Sequence, residues 1–172
     1  MRQHLGTTIA ESLDQEPGIS MRSMGPAPAR PVLRGLGGER LLVLENGGRT
    51  GDLSQTSSDH ALVIDPLTAD RMEIIRGPGA LEFGSNALGG VINVVRESIL
   101  SSVPDRLHMT LTGQLQSVSS GAAGGAALSL PLGQHFAARA DASWRTAGDV
   151  NTPERSLSNT DLETLTGSGG IS

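Results

Sequence analysis

"MEIIRGPGALEFGSNALGGVINVV", residues 72–95, runs from one apolar stretch through a glycine turn into a second apolar stretch. A glycine turn directly after a strand can cradle phosphate, and Gly77-Pro78-Gly79 with Glu97 about 20 residues on has the outline of a dinucleotide-binding fingerprint. Three details oppose that reading. Glu82 occupies the third glycine position, where it would crowd the helix–strand contact and set a carboxylate beside the pyrophosphate. The helix before Gly84 has room for about five residues, whereas a parallel crossover needs about 10–12. Pro78 removes one of the N–H groups that the phosphate would use. A Walker-type loop is excluded because the chain has no lysine. The glycines therefore read as structural. Gly77 and Gly79 permit a tight exit from the strand. Gly84 is expected to close a one-turn helix in the left-handed conformation, and Gly89-Gly90 to let the next strand enter in close contact.

Around this stretch the first hundred residues alternate short apolar runs with glycine and proline turns. "TTIAESLDQEPG" reads as a short helix capped by Thr7 or Thr8, with Ile9 and Leu13 on one face and Pro17-Gly18 as its stop. "PVLRG" and "RLLVLENGG" read as strands, the second ending in an Asn46-Gly47 turn signal. "RMEIIRG" and "GVINVVRE" are two more. Such strands are too short and too glycine-punctuated for a large parallel sheet, so this half is mixed α and β.

After Pro104 the pattern changes. Leu107, Met109, Leu111 and Leu115 fall on odd positions, with His108, Thr110, Thr112, Gln114 and Gln116 between them. "QHFAARADASWRT" alternates in the other phase, with Phe136, Ala138, Ala140, Ala142 and Trp144 on one face and His135, Arg139, Asp141, Ser143 and Arg145 on the other. "GAAGGAALSLPLG" reads as a weaker strand of small residues, and a fourth alternation runs from Leu165 to Ile171. Strands of about 9–13 residues exceed the usual length of about 5–6 in soluble sheets. One apolar and one polar face suits a membrane barrel strand, but equally a soluble antiparallel sheet with one face on a core. Alternation alone leaves both open.

Composition narrows the function classes. The chain of 172 residues carries 23 glycines and only three aromatic residues, Phe83, Phe136 and Trp144. Any core must be built from Leu, Ile, Val and Ala. A net charge of −5 argues against nucleic acid as a partner. The absence of cysteine excludes disulfides, thiolate metal sites and thiol nucleophiles. No stretch approaches the ~20 apolar residues of a membrane-spanning helix, and the N-terminus has no apolar core of the signal-peptide kind.

The opening stretch also carries a resemblance. Arg76, Gly77, Pro78, Phe83, Gly84, Gly89, Gly90, Val91, Ile92 and Asn93 fill a pattern similar to the end of the plug domain of TonB-dependent outer-membrane receptors. Upstream, Arg30-Pro31, Arg34-Gly35 and "IAESLDQEPGIS" match in the same order, so that the likeness covers residues 5–98. It implies an α+β plug domain over residues 1–100, followed over residues 104–172 by antiparallel β-strands of an incomplete transmembrane β-barrel. The whole barrel would have about 22 strands. It further implies a receptor in the outer membrane, not an enzyme, which imports a scarce nutrient with energy from the inner-membrane TonB complex and meets outer-membrane lipid through its barrel. Neither a signal peptide nor a coupling box is recognisable, and the barrel stops after its first strands, so the chain reads as a fragment.

A polar loop leads into "DHALVIDPL". Asp59 and His60 pair a carboxylate with an imidazole, a combination that suits Zn²⁺, although a solvated loop with an incidental histidine reads as well. The order Gly51-Asp52, Ser57, Asp59-His60-Ala61 and Asp65-Pro66-Leu67 is similar to the zinc-uptake branch of these receptors. By that resemblance Asp59 and His60 are zinc ligands and the barrel supplies the others. His108 and His135 are weaker candidates, lying on strand faces with no partner ligand in the pattern. Zinc is thus expected as the transported ion, with no resident cofactor. A siderophore or other metal chelate is the alternative cargo. A nucleotide-binding enzyme built on Gly77-Pro78-Gly79 is the competing class.

Overall fold

A computed structural model of the chain describes residues 6, 8–23, 29–51, 57, 62, 64–117 and 119–172. It divides into two compact units, Met1–Arg96 and Glu97–Ser172.

The first unit opens with the short helix α1 (Ile9–Ser12). Thr8 caps it, its Oγ1 accepting a hydrogen bond from the Glu11 N–H at 3.1 Å, which satisfies one of the donors a helix start leaves free. Ile9 and Leu13 are both buried, as their spacing predicts. Strands β1 (Ile19–Ser23) and β2 (Ala29–Leu33) pair antiparallel beside it. The main sheet contains β3 (Leu41–Glu45), β4 (Gly48–Arg49), β5 (Arg71–Ile75) and β6 (Gly90–Val95), in the order β4-β3-β6-β5. β3 and β6 run parallel, while β4 and β5 pair antiparallel at the edges. Asn46 (φ 50) and Gly47 (φ 77) form the two-residue hairpin between β3 and β4, the left-handed pair that an Asn-Gly turn provides.

Continuous apolar runs in β3 and β6 follow from burial on both faces. Leu41, Val43, Ile92 and Val94 pack on one side with Ile9, Leu13, Ile19, Leu33 and Ile64. Leu42, Leu44 and Val91 pack on the other against Ala80 and Ala87. Each fully buried aliphatic side chain of this kind contributes about 1.5–3 kcal/mol, so small aliphatics replace the missing aromatics.

The second unit is an antiparallel meander of β7 (His108–Gln116), β8 (Gly121–Pro131), β9 (Ala137–Ala147) and β12 (Leu162–Ile171). A small hairpin, β10 (Val150–Asn151) with β11 (Ser156–Leu157), lies in the connection between β9 and β12. The last strand begins at Leu162, three residues before the alternation predicts. The four long strands form an open sheet among the described residues.

Candidate functional site

In the glycine-rich stretch, Gly77 turns the chain out of β5 with φ 78 and ψ −154. A 3-10 helix follows over Pro78–Phe83, longer and tighter than the expected single turn. Gly84 does have positive φ, but with φ 104 and ψ 179 it is extended in ψ rather than left-handed helical, which corrects the expectation from sequence. It links directly into a second 3-10 turn, Ser85–Ala87, instead of capping a helix. Three backbone amides of the stretch already donate to carbonyls. Ala80 N–H donates to Gly77 C=O at 3.0 Å, Gly84 N–H to Leu81 C=O at 3.0 Å and Gly89 N–H to Arg40 C=O at 2.7 Å. β5 and β6 are antiparallel, so no parallel crossover stands behind the turn. This geometry removes the physical basis of the nucleotide-binding alternative.

Gly89-Gly90 has the predicted close approach. A Cβ on Gly89 would lie 2.8 Å from Leu36 Cβ, and one on Gly90 would lie 2.5 Å from Leu33 Cδ2. This glycine-rich turn fixes where β6 enters the sheet, and through β6 it sets the position of Asn93.

Asn93 is the hub of a polar clasp at the far end of that sheet. Its Oδ1 accepts from the Gly47 N–H at 2.9 Å and its Nδ2 donates to Glu73 Oε2 at 3.0 Å. One amide therefore ties β5 and β6 to the β3–β4 hairpin. Arg71 Nε donates to the other oxygen of Glu73 at 2.8 Å. Alongside, Asn46 Oδ1 accepts from Arg96 N–H at 2.8 Å, and Arg96 pairs with Glu45 at 3.0 Å. The Asn93 hydrogen bond, aided by Arg71, holds the Glu73 carboxyl below its ordinary pKa. A carboxyl depressed in the folded state lends stability above its unfolded pKa and loses it as pH falls through the lowered value. Asn93→Ala is expected to return the Glu73 titration upward and to lower the urea midpoint through two lost hydrogen bonds. A carboxyl-carbon NMR titration together with a urea melt reads both effects.

The meander has an inverted distribution of polarity. In-register partners share a face of a sheet. Met109 pairs with Leu128, Leu128 with Ala140, Ala126 with Ala142 and Trp144 with Leu165, so the two phases of alternation merge into one apolar face. That face is the exposed one, with Leu115 at 86% and Leu165 at 79% of full exposure. Asp141 and Ser143, on the opposite polar face, retain only 6% and 2%. Ser168 Oγ donates to Asp141 Oδ1 at 2.7 Å across β9 and β12. A soluble sheet buries its apolar face. This one presents it, which removes the soluble-sheet alternative and matches a strand wall with lipid outside and a polar interior.

Of the residues singled out from sequence, Gly77, Pro78, Gly84, Gly89, Gly90 and Asn93 lie in one segment from the end of β5 through β6, and Arg76 is exposed at its start. Asp59 and His60 lie outside the described residues. His108 sits on the polar face of β7, with Thr110 Oγ1 at 3.4 Å from its Nε2, and His135 is exposed in the turn before β9. Among the described residues no three His, Asp or Glu side chains gather as a metal site. Sequence reasoning missed Glu73 and Arg96. A carboxylate interrupting the apolar run of β5 was the available signal for Glu73, while its register with Asn93 comes from the strand pairing.

The family described as TonB-dependent Receptor Plug Domain matches residues 1–91, just over half of the chain. A hemin receptor of Yersinia pestis is 41% identical over 86 residues, covering 49% of this chain and 12% of that protein. The vitamin B12 transporter BtuB of Photobacterium profundum is 41% identical over 90 residues, covering 51% of this chain and 14% of that protein. The FrpB iron transporter of Neisseria meningitidis superposes with a TM-score of 0.73 at 16% identity, covering 98% of this chain and 27% of that one. The chain thus spans well under a third of the length of each.

Proposed function

Because the chain belongs to the plug-domain family of TonB-dependent outer-membrane receptors, we propose that it forms the plug (residues 1–100) and first barrel strands (residues 104–172) of a receptor that imports a metal chelate. The single observation behind this is the exposed apolar face of the meander, which suits lipid outside a barrel wall. The chelate class is supported by the named cargo of the relatives, hemin and vitamin B12, each a metal held in a macrocycle. Import draws energy from the inner-membrane TonB complex, and the protein acts as a receptor rather than a catalyst. The test is growth of a host stripped of its own receptors and supplied with the receptor that carries this chain. Hemin, cobalamin or a ferric siderophore as sole source should restore growth, and deletion of TonB should abolish it. Failure on all three would overturn the chelate reading.

Free zinc is the second reading, favoured by the adjacent carboxylate and imidazole of Asp59 and His60. A site that is about four-coordinate needs two further ligands, which the rest of the receptor would supply. Under this reading Asp59→Ala with His60→Ala abolishes zinc accumulation and spares plug folding. Unchanged ⁶⁵Zn accumulation in the double variant would sink it.

A further inference from the structure

The chain is gripped on both sides of the peptide bond that divides the two units, which falls between Arg96 and Glu97. Before it, Arg96 is tied to the β3–β4 hairpin, through its N–H to Asn46 and its guanidinium to Glu45. After it, Glu97 Oε1 accepts from Ser101 N–H at 3.3 Å and from Ser101 Oγ at 3.0 Å, which closes residues 97–101 into a turn.

That turn lies across the last strand of the meander. Side chains alternate between the faces of a strand, so Leu162, Thr164, Thr166 and Ser168 share the polar face of β12 and Gly170 takes the next place in their row. Gly170 is the one member of the row without a side chain. A Cβ there would stand 2.5 Å from the Ser98 carbonyl oxygen and 3.2 Å from Ile99 Cγ1. A backbone oxygen cannot yield as the end of a side chain can, so any larger residue at 170 would push the 98–99 backbone off the strand. Gly169, on the apolar face, gives the contrast. The nearest atoms to its Cβ position are Arg139 C=O at 3.4 Å and Ala140 Cβ at 4.0 Å, which is ordinary contact.

The strand under the turn is firm. Gly170 is in register with Arg139 on β9. Beyond it, Ala137 N–H donates to Ser172 C=O at 2.8 Å and Ser172 N–H donates to Ala137 C=O at 2.9 Å, so the pairing continues past the crossing. A loose tether between two units would make no demand on the residue beneath it. This one requires a glycine there.

Building on the receptor reading, we infer that residues 97–101 form a fixed strap over the polar face of β12, seated by Gly170, which anchors the exit of the plug to the wall. Movement of the plug during import then turns at or before the Arg96–Glu97 bond, and the strap stays in place. The chain has no cysteine, so Ile99→Cys in the receptor carrying this chain takes a single nitroxide, at a side chain exposed enough to accept it. Its spectrum should show restricted motion. Gly170→Val should release it to a mobile spectrum, while Gly169→Ala should leave it restricted. A mobile label with both glycines intact, or one that Gly170→Val does not release, overturns the strap.

A second pair keeps Gly170 and so does not depend on the assembly of Gly170→Val. Ile99→Cys with Ser168→Cys, the latter about 7 Å from Gly170 along the same face, is joined by a short bismaleimide. The bridge should form in the assembled receptor, and growth on hemin, cobalamin or a ferric siderophore should be as fast with it as without it. No bridge, or growth lost only when the bridge is made, overturns the fixed strap and leaves the receptor reading in place. No growth even without the bridge counts against the receptor reading alone, and the mobility of the label then still decides the strap.

Discussion

Leu111→Arg is expected to destabilise the membrane-inserted receptor by about 2–4 kcal/mol, the cost of a guanidinium on the lipid face near the bilayer midplane. Leu111 occupies the middle of β7 on the exposed apolar face, opposite Ala126. Its neighbour Thr110 projects from the other face of the same strand, also exposed. Thr110→Arg, on the polar side, should stay within about 0.5 kcal/mol of the parent, as surface substitutions usually do. The pair of variants differs by one residue in sequence and by the whole thickness of the wall in environment. Urea titration of the receptor folded into vesicles measures both. Equal costs would mean that the two faces meet the same solvent, and the membrane account would fail.

Gly90→Ala should produce a comparable loss in the plug, by a different mechanism. Its new methyl would lie 2.5 Å from Leu33 Cδ2 and 2.8 Å from Ile75 C=O. Leu33 is fully buried and the carbonyl is backbone, so neither can yield cheaply. The residue also sits at φ 135, where a side chain adds strain. Strain of about 1–3 kcal/mol and overpacking of about 1–3 kcal/mol give about 2–6 kcal/mol together. Gly77→Ala separates the two terms, because Gly77 shares positive φ (78) but has open space around its Cβ position. It should cost only the conformational part, about 1–3 kcal/mol. Amide exchange at Val91, Ile92 and Val94 in the receptor reads the opening of β6 directly. Gly90→Ala with unaltered protection would show that the close approach does not constrain the fold.

These two substitutions also mark how far the sequence could be read. The alternation of residues 107–116 and 136–145 located β7 and β9 and sorted every side chain onto its face, because the period of two is a property of the strand itself. It could not tell which face meets water, since an inside-out wall and a soluble sheet alternate alike. Exposure of Leu115 and burial of Ser143 decide that, and both depend on the pairing of all four strands. Likewise Gly89-Gly90 announced a close contact without naming Leu33 or Leu36, which approach from another strand and its turn. Gly84 was misjudged in ψ for a local reason. A glycine that links two 3-10 turns needs positive φ, but not the left-handed helical cap that a single α-turn would require. Asn93 was visible in its motif. Its partners Gly47 and Glu73 lie 46 and 20 residues away, and only the strand order brings them together.

As a membrane wall, the meander turns its apolar side outward. A nitroxide scan of residues 107–116 and 136–146 in the receptor, reading collision with oxygen against collision with a water-soluble nickel chelate, tests it most directly. Oxygen-dominated collisions are expected at Met109, Leu111, Leu115, Ala140, Ala142 and Trp144, each flanked by positions shielded from oxygen. Chelate-dominated collisions at those six positions, or no period of two, would contradict it.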